Sequence, residues 1–326
     1  MFTADVLKLD AAAAVAEIVA AIRAQVLGTL RRKGAVVGLS GGVDSSVVTT
    51  LCARALGAER VLALVMPERD TGSESVALAG ALIAQLGVAA RREDIAPILA
   101  AAGCYTRQAE AIRLVFPDYG EGWRCKVALR SILAGERLNV SELTVESPTG
   151  ERRSARLPLE AYLALIAATN FKQRTRKMME YHHADRLHYA VAGTPNRLEY
   201  DQGFFVKQGD GSADFKPIAH LYKTQVYQLA EFLGVPAEIR SRPPTTETFS
   251  LPQSQEEFYF SLPYDRMDLC LYGRNHGVPA AEVAGAAGLT AAQVERVYRD
   301  IDQKRRTTRA LHLPPLLVRP VTDSGD

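Results

Sequence analysis

The chain has 326 residues, 47% of them hydrophobic and 23% charged, with a formal net charge of +2; it can bury one large core or two modest ones, and it carries no global electrostatic case for nucleic acid. Its four cysteines, Cys52, Cys104, Cys125 and Cys270, are widely spaced and form no CxxC pair, which argues against a zinc site or a disulfide framework and makes a reducing cytoplasm the expected compartment. The apolar stretch AAAAVAEIVAAIRAQVLGTL is interrupted by Glu17 and Arg23 and preceded by Asp5 and Asp10, so it reads as an amphipathic helix rather than a signal peptide or membrane span.

Residues 35–39 form a short apolar run with two β-branched residues, a buried strand. Residues 45–56 carry Val47, Val48, Leu51 and Leu56 at helical spacing. Between the two lies GLSGGVDSS. The free N–H groups and dipole of a helix start favour an anion there. Gly41 and Gly42 permit close backbone approach, and Ser40, Ser45 and Ser46 supply donors. Asp44 would repel a phosphate unless a cation lay between them, so the loop predicts a magnesium ion held by carboxylate, phosphate oxygens and water.

Further along, VLALVMP (61–67) reads as a second buried strand and 73–87 as a helix with Ser73 as its N-cap and Gly87 as its stop. A weaker strand is expected at 92–96 and a helix from Pro97. This alternation predicts an α/β, doubly wound parallel sheet flanked by helices, with ligands at the carboxyl ends of its strands. From about 116 to 159 the pattern loosens into an expected insertion: FPDYGEGWRCK is rich in turn residues, and NVSELTVESPTGERRSARLP reads as a charged hairpin or excursion turning at SPTGE, with Arg152, Arg153 and Arg156 on a solvated face. Residues 160–185 read as a long helix with Asn170, Arg174, Lys177 and Tyr181 on one polar stripe, and His182 and His183 as surface residues without a metal role. HYAVAG (188–193) is the next strand.

SGGVDSS, NFKQRTR, GTPNRLEYDQGFFVKQGDGSADFKPIAHLYKTQVYQLAEFLGVP and PPTT occur in this order. The loop alone resembles that of the ATP pyrophosphatases; the set resembles the NAD synthetases, which convert deamido-NAD to NAD, from about residue 15 to 308. That resemblance implies a single Rossmann-like domain over 1–326 with a C-terminal helical extension at about 264–326. It implies ATP contacts at Gly38, Leu39, Ser40, Gly41, Gly42, Val43, Asp44, Ser45, Thr194, Lys223 and Thr245. Asp44 and Glu199 would hold Mg2+, and Arg174, Lys207, Asp214, Gln303 and Lys304 would bind deamido-NAD. Where the family often has a His-Lys pair, this chain has Gln303-Lys304.

The implied chemistry is adenylation of a carboxylate by ATP, then displacement of AMP by ammonia. The segment 243–263, rich in proline and turn residues, reads as a lid. A homodimer is implied, with the helix bearing Asn170 and Arg174 at its interface. Ammonia is the expected donor, because the nucleotide loop begins at Gly38 and the cysteines lack amidase-like surroundings. The alternatives are a ligase of the same fold acting on another acid and, less favoured by charge and cysteine pattern, a tRNA-modifying adenylating enzyme.

Overall fold

The computed structural model describes residues 2–129, 132, 141–245 and 248–320. Helix α1 (Ala11–Arg23) starts at Asp10, whose side chain accepts from the Ala13 N–H, and continues into a π turn at Ala24–Thr29. By length and composition Ala4–Thr29 is apolar enough to cross a membrane. In the fold, however, Val15, Ile18, Ile22 and Val26 are buried in the main core.

The buried run β1 (Ala35–Gly38) leads through a four-residue loop into α2 (Val43–Leu56). Strand β2 (Val61–Val65), helix α3 (Ser73–Leu86) and strand β3 (Ala89–Arg92) follow. Gly87 adopts the left-handed conformation and stops α3; Gly72, not Ser73, stands at its N-cap. Strand β3 lies earlier than the 92–96 expected: all four of its residues are exposed, so no apolar run marks it. Helices α4 (Ala96–Ala101) and α5 (Cys104–Arg113) precede a second sheet.

That sheet is antiparallel, in the order β4 (Arg124–Leu129), β5 (Ser141–Glu146), β6 (Arg152–Arg156). The β5–β6 turn closes between Ser147 and Glu151, within SPTGE. Arg152 pairs with Glu146 and Arg153 with Asp118, so two of the three arginines expected on a solvated face are engaged with carboxylates. Residues 130–131 and 133–140 of the 116–159 excursion, and 246–247 of the 243–263 segment, lie outside the described residues.

Helix α6 (Leu159–Leu187) returns the chain to β7 (Ala190–Ala192), which pairs in parallel with β1. The main sheet therefore runs β3-β2-β1-β7, all parallel. The chain steps outward from β1 through β2 to β3 and then returns to the other side of β1. The switch point between β1 and β7 is where a crevice opens at the carboxyl ends of such a sheet. Helix α7 (Arg197–Gln202) springs from β7 and α8 (Lys223–Phe232) packs beside α2.

A short α9 (Ala237–Ser241) follows, and then α10 (Tyr264–Asn275), α11 (Ala280–Ala287) and α12 (Ala291–His312) build a separate apolar cluster around Met267, Leu271, Val283, Val297 and Ile301. Asp268 on α10 accepts from the Thr224 N–H at 2.7 Å, placing a carboxylate at the start of α8. His183, expected at the surface, is buried because its ring bonds Glu93 at 2.8 Å and Arg186 at 3.1 Å.

Candidate active site

The loop after β1 is held by its own hydroxyls. Ser45 and Ser46 donate to the Gly42 carbonyl at 3.1 and 2.8 Å, and the Gly42 N–H donates to Ser40 Oγ at 3.3 Å. Gly41 has φ +79°, and a Cβ there would stand 2.4 Å from the Ser75 carbonyl oxygen. Only glycine satisfies both conditions. Gly42 caps α2 without a side-chain bond, leaving first-turn N–H groups beside the cavity.

The loop after β7 supplies the opposite wall. Asn196 caps α7 through bonds to the Leu198 and Glu199 N–H groups, while Glu199 Oε2 accepts from the Asn196 N–H at 3.1 Å. This reciprocal cap fixes both side chains. The Asn196 amide then reaches across the switch point to Asp44 Oδ1 at 3.0 Å. Asp44 Oδ2 is ion-paired with the fully buried Lys223 ammonium at the start of α8. Four residues from three segments thus meet where β1 and β7 end.

Their electrostatics are unbalanced. Burial, reinforced by the nearby Asp44 carboxylate, pushes the Glu199 carboxyl up to about 8. Burial opposes the charge of Lys223, but Asp44 and Glu199 together hold its ammonium above its ordinary range. The raised Glu199 carboxyl marks a site short of positive charge, and a cation placed between Asp44 and Glu199 would favour its ionised form. This donor set fits a hard divalent cation that takes its remaining ligands from phosphate and water. Among the described residues no group of three or more His, Cys, Asp or Glu forms a self-sufficient metal cage.

A cavity of about 410 Å³ runs from this point, within the range of small-ligand pockets. Gly38, Leu39, Ser40, Gly42, Val43, Asp44, Ser45, Thr194, Glu199 and Thr245 line it; Gly41 and Lys223 stand behind those walls. The remaining expected contacts are elsewhere. Arg174 Nε donates to the Lys207 carbonyl at 3.3 Å, and Lys207 Nζ caps the end of α12 at the Ala310 and Leu313 carbonyls. Asp214 accepts from the Val191 N–H at 2.7 Å and from the Tyr181 hydroxyl at 3.2 Å. Gln303 is partly exposed, and Lys304 is buried against Asp300 and the Tyr259 carbonyl. None of these five lines the cavity.

Sequence reasoning missed part of the lining. On α6 the polar lining includes Asn170, Gln173, Lys177 and Glu180, at spacings of three, four and three, together with Thr169 and Arg176. Arg174 and Tyr181 belong to the neighbouring face. Lys177 bonds Glu180 at 2.6 Å, and burial raises both Glu180 and the cavity-lining Asp210 above the usual carboxylate range. Lys172, 1% exposed, reaches Glu68 at 2.8 Å, Asp70 at 2.7 Å and the Thr248 carbonyl at 2.8 Å. The helical repeat counted from Asn170 could have found Gln173 and Glu180; Lys172, behind the lining, lies within NFKQRTR, but its ion pairs to Glu68 and Asp70 leave no local mark.

The family model for NAD synthase matches residues 14–116 and 138–309. The chain belongs to the NAD synthase family. It is 63% identical over 311 residues to the NH(3)-dependent NAD(+) synthetase of Mesorhizobium japonicum, covering 95% of this chain and 98% of that one. A relative of the same name from Rhizobium rhizogenes is 59% identical over 98% of this chain and 96% of its own. An NH3-dependent NAD synthetase structure from Campylobacter jejuni superposes with a TM-score of 0.63 at 20% identity, covering 95% of this chain and 100% of that one, and shows the shared fold. The stretch 117–137, which the NAD synthase family model leaves unmatched, contains β4.

Proposed function

We propose that the chain amidates deamido-NAD to NAD with ATP and ammonia, in the cavity at the β1–β7 switch point. The meeting of Asp44, Asn196, Glu199 and Lys223 carries this reading. ATP lies along the Gly38–Ser45 loop, and an oxygen of the nicotinic carboxylate attacks its α-phosphorus as pyrophosphate leaves. The α2 first-turn N–H groups and Lys223 stabilise the charge on the departing group. Ammonia then attacks the acyl carbon, the bond to AMP breaks, and the amide loses a proton.

Asp44 and Glu199 are the side chains that would hold Mg2+, which when bound neutralises polyphosphate charge. Lys223 and Asn196 orient Asp44, and the 243–263 segment excludes water. Arg174, Lys207, Asp214 and Gln303 belong to an outer surface that meets the second substrate. Lys304, already committed to Asp300, supports this surface through Tyr259.

We further propose a homodimer built on α6, supported by its exposed Leu159, Leu163 and Met178, in a cytoplasmic setting, with 116–159 inserted in a single domain. Incubation with ATP, magnesium and ammonium while the acid is varied tests the reading. Deamido-NAD should give AMP and NAD in equal amounts; AMP formed only with another acid would replace the substrate assigned here.

A further inference from the structure

In the β4–β5–β6 sheet, β5 is central and, among the described residues, the outer edge of β4 has no strand partner. A bare edge of this kind tends to recruit extended chain. Here the 249–258 part of the 243–263 segment covers it: an irregular extended run up to Ser254 lies along β4 and then enters a π-helical turn at Glu256–Phe260. The Leu251 N–H donates to the Cys125 carbonyl at 3.0 Å. Pro252 has no N–H to offer, and on either side of it side chains replace the backbone: Ser250 Oγ accepts from the Cys125 N–H at 2.9 Å, and the Gln253 amide donates to the Val127 carbonyl. Lys126 pairs with Glu257 at 2.5 Å. Phe249 and Phe258 pack with Val127, Leu143 and Val145 of the sheet.

The same limb is tied to the cavity. Ser254 bridges to Thr245, and the Gln255 N–H donates to the Pro244 carbonyl at 3.0 Å. Thr245, Gln255 and Phe258 all line the cavity. Each link is therefore short: β4 holds 250–253, and 254–255 holds Pro244 and Thr245. Strand β4 falls in the stretch between the two segments that the family model matches.

We propose that Gln253 and Lys126 are positioning residues of the synthetase reaction: by fastening the 249–258 limb to the β4 edge they keep Thr245 at the cavity and water off the adenylated acid. The side-chain substitutes around Pro252 make the fastening weaker than a full ladder, so it holds the segment and still releases it for substrate entry and product exit. The Lys126–Glu257 pair is partly exposed and contributes little to global stability. Its effect is local. When the fastening fails, water takes the place of ammonia: its oxygen attacks the acyl carbon, the acyl–phosphate oxygen bond breaks, AMP departs, and the free acid and a proton are returned.

The inference rests on the proposed function, and its test separates the two. Gln253→Ala and Lys126→Glu should speed amide exchange in 248–258 severalfold without ligand, while exchange in β1 and β2 stays slow. At saturating ATP and limiting ammonium they should raise the AMP-to-NAD ratio severalfold above the wild-type value. The double exchange Lys126→Glu with Glu257→Lys should restore both readouts. A wild-type ratio in Gln253→Ala and Lys126→Glu despite faster exchange would overturn the positioning role, as would a double exchange that stays as leaky as Lys126→Glu. Wild-type protein that makes no AMP from deamido-NAD would instead refute the proposed function, while exchange would still read the fastening.

Discussion

Asp44 is the side chain on which the others converge, and its neighbours determine what its loss should do. In Asp44→Asn the Lys223 ammonium retains Glu199 as partner, so the fold should survive. With Asp44's repulsion removed, the Glu199 carboxyl should titrate well below its value of about 8, observable by carboxyl NMR of labelled protein. NAD formation should fall at least about 100-fold, the scale of losing a preorganised electrostatic group. An unmoved Glu199 titration would show that burial alone sets it.

Gly41→Ala is a purely steric counterpart. The left-handed backbone costs about 1–2 kcal/mol for a residue with a Cβ, and the Ser75 carbonyl must move as well. The melting temperature should drop and the KM for ATP should rise, with the KM for ammonium unchanged.

The contact between α8 and α10 predicts a pH dependence. Burial raises the Asp268 carboxyl to about 6, against about 3.8 when exposed. Because the folded state binds this proton more tightly, the stabilisation is complete below about pH 3.8 and is lost as pH rises to about 6. Asp268→Asn keeps an acceptor for the Thr224 N–H and removes the titration, so its melting temperature should fall less than the wild type's across that interval. Parallel curves would assign the slope to other groups.

Elements with continuous apolar runs or glycine stops, such as β1, β2 and the end of α3, are legible in the sequence because burial and the left-handed turn leave local marks. Strand β3 is not, since all its residues are exposed. The β4 fastening is not legible either: Ser250 and Gln253 acquire meaning only from a carbonyl and an N–H more than a hundred residues away. The switch-point residues were legible as motifs, whereas the bonding that joins Asn196 to Asp44 was not.

For the assembled molecule, the exposed Leu163 and Met178 on α6 predict an interface between two copies. Leu163→Glu with Met178→Glu should shift sedimentation from dimer to monomer and lower activity more at low protein concentration than at high. Wild-type protein that sediments as a fully active monomer would remove the interface.

The order β3-β2-β1-β7 also governs when the enzyme can come into being. Asp44 finds Asn196 across 152 positions and Lys223 across 179, so the nucleotide loop emerges from the ribosome long before its counterparts. Until β7 is synthesised, the inner edge of β1 is an open template, and such long-range parallel closure is slow and exposed to mispairing. A nascent chain halted after α6 should therefore bind a chaperone holdase, and one extended beyond α8 should be released. The switch-point cluster is completed only after the sheet closes, so activity reports that synthesis has passed the danger.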